Sequence, residues 1–182
     1  MKAIIFHGTD CSPTDYWYGW LKSELEKADY EVELPSYPDI NHEPIGEFLA
    51  KVLAHHVFDK DTVLIGHSAG SPLILSVLEA IETPISQAVL VAGYSERLEG
   101  EVDPVLQPNY NWEKIKDNAE DFVFINSVND PWGCDADQGR ILFDNLGGMQ
   151  VIRNEGHFGS TTFDQPYPKF PLVRDVILGR EA

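Results

Sequence analysis

Gly66-His67-Ser68-Ala69-Gly70 carries the strongest chemical signal in the chain. The run fits Gly-x-Ser-x-Gly, in which a serine sits on a tight turn between a strand and a helix. A hydroxyl nucleophile must stand clear of the backbone, so its residue is held in a strained turn. Glycines on both sides keep side chains out of the crowded junction. The helix that follows aims its first N–H groups at the reacting oxygen and favours negative charge there. Here the motif follows the apolar run Thr62-Val63-Leu64-Ile65 and opens a strongly apolar helical pattern, the context such a turn requires. The plainer alternative is a glycine-rich turn bearing an ordinary surface serine.

A serine hydroxyl needs a base to take its proton. When the serine occupies such a turn, an acid and then a histidine follow it along the chain. His7, His42, His55, His56 and His67 all precede Ser68; only His157 follows, in Asn154-Glu155-Gly156-His157-Phe158-Gly159. His157 is therefore the candidate base. The acid is expected between the two, after a strand. Asp130, in Asn129-Asp130-Pro131-Trp132, fits best, with Glu96 and Asp103 as alternatives from the preceding strand. Asp135 and Asp137 suit the N-terminus of the next helix better. The acid would fix the tautomer of His157 and stabilise its imidazolium. A developing oxyanion needs two backbone donors. Ala69 supplies one, and the loop His7-Gly8-Thr9-Asp10 supplies the other from Thr9, with Asp10 in reserve. Asp10, Trp132 and Phe158 are expected to line the pocket.

These residues need a scaffold that gathers them. Largely apolar runs at 3–6, 62–65, 88–91 and 122–126 read as strands covered on both faces, with further strands near 30–34 and 149–152. Helical spacing appears over 15–27, 44–58, 69–81, 137–145 and 171–178. Strands alternating with helices predict an α/β fold: three layers, doubly wound, around a mainly parallel six-stranded sheet. No repeat or linker interrupts 1–182, which is expected to be one domain. The irregular stretch 94–111 is expected either to wall the pocket as a small lid or to lie on the surface as a loop.

Composition excludes several classes. Hydrophobic residues make up 43% of the 182, enough for a packed core, and the net charge is −17. That charge opposes nucleic acid and anionic membrane surfaces. The apolar stretch at the N-terminus is too short for a signal-peptide core, and no run approaches membrane-spanning length. Cys11 and Cys134 form no disulfide framework or metal-ligand spacing. A cytoplasmic protein without metal or cofactor is expected, as no phosphate loop or dinucleotide fingerprint occurs.

Along nearly its whole length the sequence resembles the small serine hydrolases of the YdeN and retinoblastoma-binding-protein-nine family. The resemblance rests on His7-Gly8, the segment Trp17-Tyr18-Gly19-Trp20-Leu21-Lys22-Ser23-Glu24-Leu25, Pro38-Asp39, Gly66-His67-Ser68, Asn129-Asp130-Pro131-Trp132 and Gly156-His157-Phe158. It implies a compact α/β-hydrolase fold with little or no cap and a triad of Ser68, Asp130 and His157. It also implies ester- or amide-cleaving activity on small substrates. The retinoblastoma-protein partner of one member is not expected here. Its Leu-x-Cys-x-Glu segment is absent: neither cysteine is followed two residues later by glutamate. The rival from another class is a hydrolase-like binding protein without catalysis.

Overall fold

The computed structural model describes residues 1–179; residues 180–182, the end of the expected domain, lie outside the described residues. Six strands form one sheet: β1 (Lys2–Phe6), β2 (Glu31–Glu33), β3 (Thr62–His67), β4 (Gln87–Val91), β5 (Phe122–Ser127) and β6 (Met149–Arg153). Their order is β2-β1-β3-β4-β5-β6, and every pairing is parallel. Burial explains the apolar runs. β3, β4 and β5 are buried at every position, whereas the edge strands β2 and β6 are partly exposed.

Six helices complete the layers: α1 (Tyr18–Glu26), α2 (Ile45–His55), α3 (Gly70–Ala80), α4 (Trp112–Asp117), α5 (Ala136–Leu146) and α6 (Pro171–Leu178). α1 packs on α6; α2, α3, α4 and α5 pack in sequence on one another. The result is the three-layer, doubly wound architecture expected. α3 is apolar all round, with Gly70 to Leu78 buried, because it lies between the sheet and its flanking helices.

The topology places the site. From β1 the chain turns toward β2, while from the adjacent β3 it turns toward β4. The two following loops therefore diverge and open a crevice at the C-terminal ends of β1 and β3. One loop carries Gly8 and Thr9, the other Ser68.

Two sequence expectations shift. The first helix begins at Tyr18 rather than near residue 15. Asp15 instead accepts the Ser12 N–H with its side chain at 2.7 Å, and Tyr16 adopts a left-handed φ of 46°. α4 was not anticipated. It is only six residues long and depends on a local cap, the Asn111 side chain accepting from the Lys114 N–H at 3.1 Å.

Candidate active site

Ser68 follows β3 with φ of 52°, a left-handed conformation unusual for a residue with a side chain. Its N–H donates to the Val91 carbonyl at 2.9 Å, tying the turn to β4. The flanking glycines are required by contact. A Cβ on Gly70 would lie 2.4 Å from the Phe6 carbonyl oxygen, and one on Gly66 would lie 2.6 Å from the Gly70 backbone. Only bare backbone lets α3 begin this close to β1 and β3.

His157 sits on the loop after β6. Its Nδ1 lies 2.7 Å from Asp130 Oδ2, with the Asp130 side chain fully buried and the imidazole nearly so. A carboxylate only accepts, so Nδ1 carries the proton and Nε2 presents its lone pair. The other Asp130 oxygen accepts the Trp132 N–H at 2.9 Å, fixing the turn after β5. Three side chains clamp the His157 loop: Ser127 accepts from the Glu155 N–H, Asn129 from the Gly156 N–H and Gln165 from the His157 N–H, all at 2.9–3.1 Å.

Ser68 and His157 line one cavity of about 300 Å³ with Thr9, Asp10, Cys11, Trp132 and Cys134. Among the described residues no hydrogen bond joins the Ser68 hydroxyl to His157. The hydroxyl instead faces the Cys134 thiol closely enough to act on its acidity. Burial pushes that thiol well above its ordinary range, aided by the Asp130, Asp103 and Asp135 carboxylates and opposed by the Ser68 hydroxyl. Burial likewise pushes Cys11 up to about 11. Both cysteines are free, and both are protonated thiols at neutral pH.

The loops that carry the expected oxyanion donors meet at the serine. A Cβ on Gly8 would lie 3.1 Å from Ser68 Cβ, so the first loop runs directly against the serine. Neither the Thr9 nor the Ala69 N–H has a hydrogen-bond partner among the described residues. Asn41 Nδ2 donates to Thr9 Oγ1 at 3.2 Å and holds the loop in place.

The pocket expectations divide. Asp10 and Trp132 line the cavity; the Trp132 ring stands 6.5 Å from the His157 ring. Phe158 does not line it. It is wholly buried, stacked on Phe170 at 5.0 Å and edge-on to Tyr167. With φ of 56° at Phe158, the turn packs its ring against Tyr167 and Phe170 rather than into the cavity. The irregular stretch 94–111 forms a pocket wall through Tyr94, Leu98, Glu101 and Asp103. Asp103 accepts from Tyr94, Asn41 and the Leu98 N–H, and Asp135 caps α5; neither is bonded to His157.

His67 is a residue whose part the motif alone does not reveal. It is buried beneath the site, and its Nε2 lies 2.8 Å from the His157 carbonyl oxygen. A carbonyl only accepts, so Nε2 carries the proton. Nδ1 then accepts from the Tyr18 hydroxyl at 2.6 Å, and that hydroxyl accepts the Gly8 N–H at 3.4 Å. One chain of bonds thus runs from the first loop to the His157 backbone. Burial, then the neighbouring His157 ring, lower the His67 pKa to about 3, so it remains neutral. Trp17 adds a second brace, its Nε1 donating to the Phe158 carbonyl at 3.0 Å.

The chain is similar to known proteins along nearly its whole length. A serine hydrolase family model matches residues 3–177. YdeN of Bacillus subtilis (strain 168) is 25% identical over 184 residues, covering 97% of this chain and 94% of that protein. Serine hydrolase RBBP9 of Rattus norvegicus is 25% identical over 170 residues, covering 90% of each. The crystal structure of the B. subtilis ydeN gene product matches with a TM-score of 0.88 at 24% identity, covering 98% of this chain and 97% of that one. The family match runs from within β1 to within α6 and takes in every residue lining the cavity, and the chain belongs to the serine hydrolase family.

Proposed function

We propose that this hydrolase cleaves carboxyl esters or activated amides of small substrates through an acyl-enzyme on Ser68. The observation that carries the proposal is the Asp130–His157 bond of 2.7 Å at the rim of the cavity that holds the strained Ser68. Rotation of the Ser68 side chain away from Cys134 brings its hydroxyl toward His157 Nε2; such bonds often tighten only when substrate is bound. The serine oxygen attacks the substrate carbonyl carbon, and its proton passes to Nε2. The resulting oxyanion takes the N–H groups of Thr9 and Ala69. The imidazolium then protonates the leaving group, which departs. Water enters, gives its proton to His157 and releases the acid product, restoring Ser68. Asp130 holds the tautomer throughout and does not itself take the proton.

A cavity of about 300 Å³ suits a substrate of modest size. Asp10, Glu101 and Asp103 line it and, among the described residues, no lysine or arginine does, which disfavours anionic substrates.

Labelling with a fluorophosphonate probe tests the chemistry. The wild type is expected to label and Ser68→Ala to remain unlabelled; equal labelling of both refutes the acyl-enzyme. A panel of p-nitrophenyl esters tests the pocket. Short neutral chains are expected to be cleaved fastest, and a chain ending in a carboxylate slowest.

A further inference from the structure

The Cys134 thiol, the Asp130 carboxylate and the His157 imidazole converge at the wall of the cavity, which Cys134 and His157 line. All three residues are buried, and one donor atom from each lies within 4.8 Å of the others. The Asp130–His157 bond accounts for two of these groups. The thiol is surplus to the proposed hydrolysis, which gives it no proton to move and no bond to make.

We propose that Asp130, Cys134 and His157 form a binding site for a thiophilic divalent cation of the zinc and cadmium class, and that occupancy switches the hydrolase off. Thiolate, imidazole and carboxylate together are the donor set such ions take, with metal–ligand bonds of about 2.0–2.3 Å. Tetrahedral geometry at those lengths separates donors by about 3.3–3.8 Å. The three donors therefore need only modest side-chain movement to close around an ion. Charge also balances: one thiolate and one carboxylate neutralise a divalent cation, which matters in a buried place. Three protein ligands leave a fourth position for water or for the Ser68 hydroxyl on the cavity side.

The exchange balances in protons. The cation takes the Nδ1 lone pair in place of the proton shared with Asp130, and the ring proton moves to Nε2. The thiol proton leaves to solvent as the metal–sulfur bond forms. Nε2 is then a donor and cannot accept the Ser68 proton. Inhibition thus follows from the change of tautomer.

Cadmium ion alone, titrated into the whole protein, supplies the test, because a cadmium–thiolate bond has its own ultraviolet charge-transfer band. The band is expected to saturate at one ion per chain, to persist in Cys11→Ser and to be lost in Cys134→Ser. Cys134→Val, which fills the buried space without a donor, gives the same readout should serine disturb folding. His157→Ala is expected to weaken binding. In parallel, zinc ion is expected to abolish ester hydrolysis, with recovery on adding a chelator. Absence of the band in wild type, or its persistence in Cys134→Ser or Cys134→Val, overturns the proposal. The band requires no activity, so this result is independent of the hydrolytic reading.

Discussion

His67 donates from Nε2 to the backbone carbonyl of His157 at 2.8 Å, across 90 residues of sequence. The residue before the candidate nucleophile therefore holds up the loop of the candidate base. Through Tyr18 the same imidazole reaches the Gly8 N–H of the first loop. Three loops of the site share one buried strut.

Replacing His67 with phenylalanine keeps a ring but removes both bonds. The Tyr18 hydroxyl and the His157 carbonyl are left without that partner, at about 1–3 kcal/mol for each buried group unpaired. His67→Phe is expected to unfold at lower urea and to label more slowly with the fluorophosphonate probe. Unchanged midpoint and labelling rate together would show that the strut positions nothing.

The same imidazole predicts a pH dependence of stability. Its folded pKa, about 3, lies below the ordinary 6.5. Among the described residues the titratable groups facing it are the phenols of Tyr18 and Tyr16 and the imidazoles of His157 and His7, none of which supplies a compensating negative charge. Between those two values the unfolded chain binds a proton that the folded chain refuses. Stability is thus fully present above about pH 6.5 and is lost as pH falls toward 3, by at most about 1.4 kcal/mol per unit for this one group. His7, also lowered by burial, acts in the same direction. Urea midpoints measured from pH 7 to pH 5, above the main carboxylate range, check this. The slope is expected to flatten in His67→Phe.

Gly70→Ala is expected to be severely destabilising. The added methyl would lie 2.4 Å from the Phe6 carbonyl oxygen and 3.1 Å from that of His7, both main-chain atoms that cannot rotate away. Overpacking of this kind costs about 1–3 kcal/mol or more. Gly46→Ala serves as control, because nothing lies within 4 Å of its added Cβ. Denaturant midpoints should fall for the first and hold or rise slightly for the second. Similar midpoints would contradict the close approach of α3 to β1.

Asp130→Asn preserves size while removing the charge that fixes the His157 tautomer. An amide can donate to Nδ1, leaving the proton on Nε2, where it blocks base catalysis. The turnover number for ester hydrolysis is expected to fall about 10⁴-fold. Steady-state kinetics at saturating substrate measure this. A loss smaller than tenfold would remove Asp130 from the mechanism.

The sheet was legible because strands covered on both faces must be apolar throughout, as Val63-Leu64-Ile65 and Val89-Leu90-Val91 are. α6 fell at 171–178 as expected, since Pro171 can occupy its first turn. α4 escaped notice because six residues rich in charge carry no periodicity, and its cap is one asparagine. Phe158 was misplaced because neighbours in a loop can point to opposite sides. Sequence adjacency to His157 did not reveal that φ of 56° turns the ring toward Phe170.

The layered α/β class, the strained turn at Ser68 and the choice of Asp130 and His157 as its candidate partners were readable along the chain. These follow from local pattern: runs of apolar side chains, glycines that permit crowding, and the order of residue types along the chain. Packing in three dimensions was needed to show that Cys134 lies beside the Asp130–His157 pair, that His67 braces the His157 loop, and that the 94–111 stretch walls the cavity. Each brings together groups from loops that follow different strands. Its distance and direction are set by how the loops of neighbouring strands pack at one end of the sheet, which no local spacing encodes.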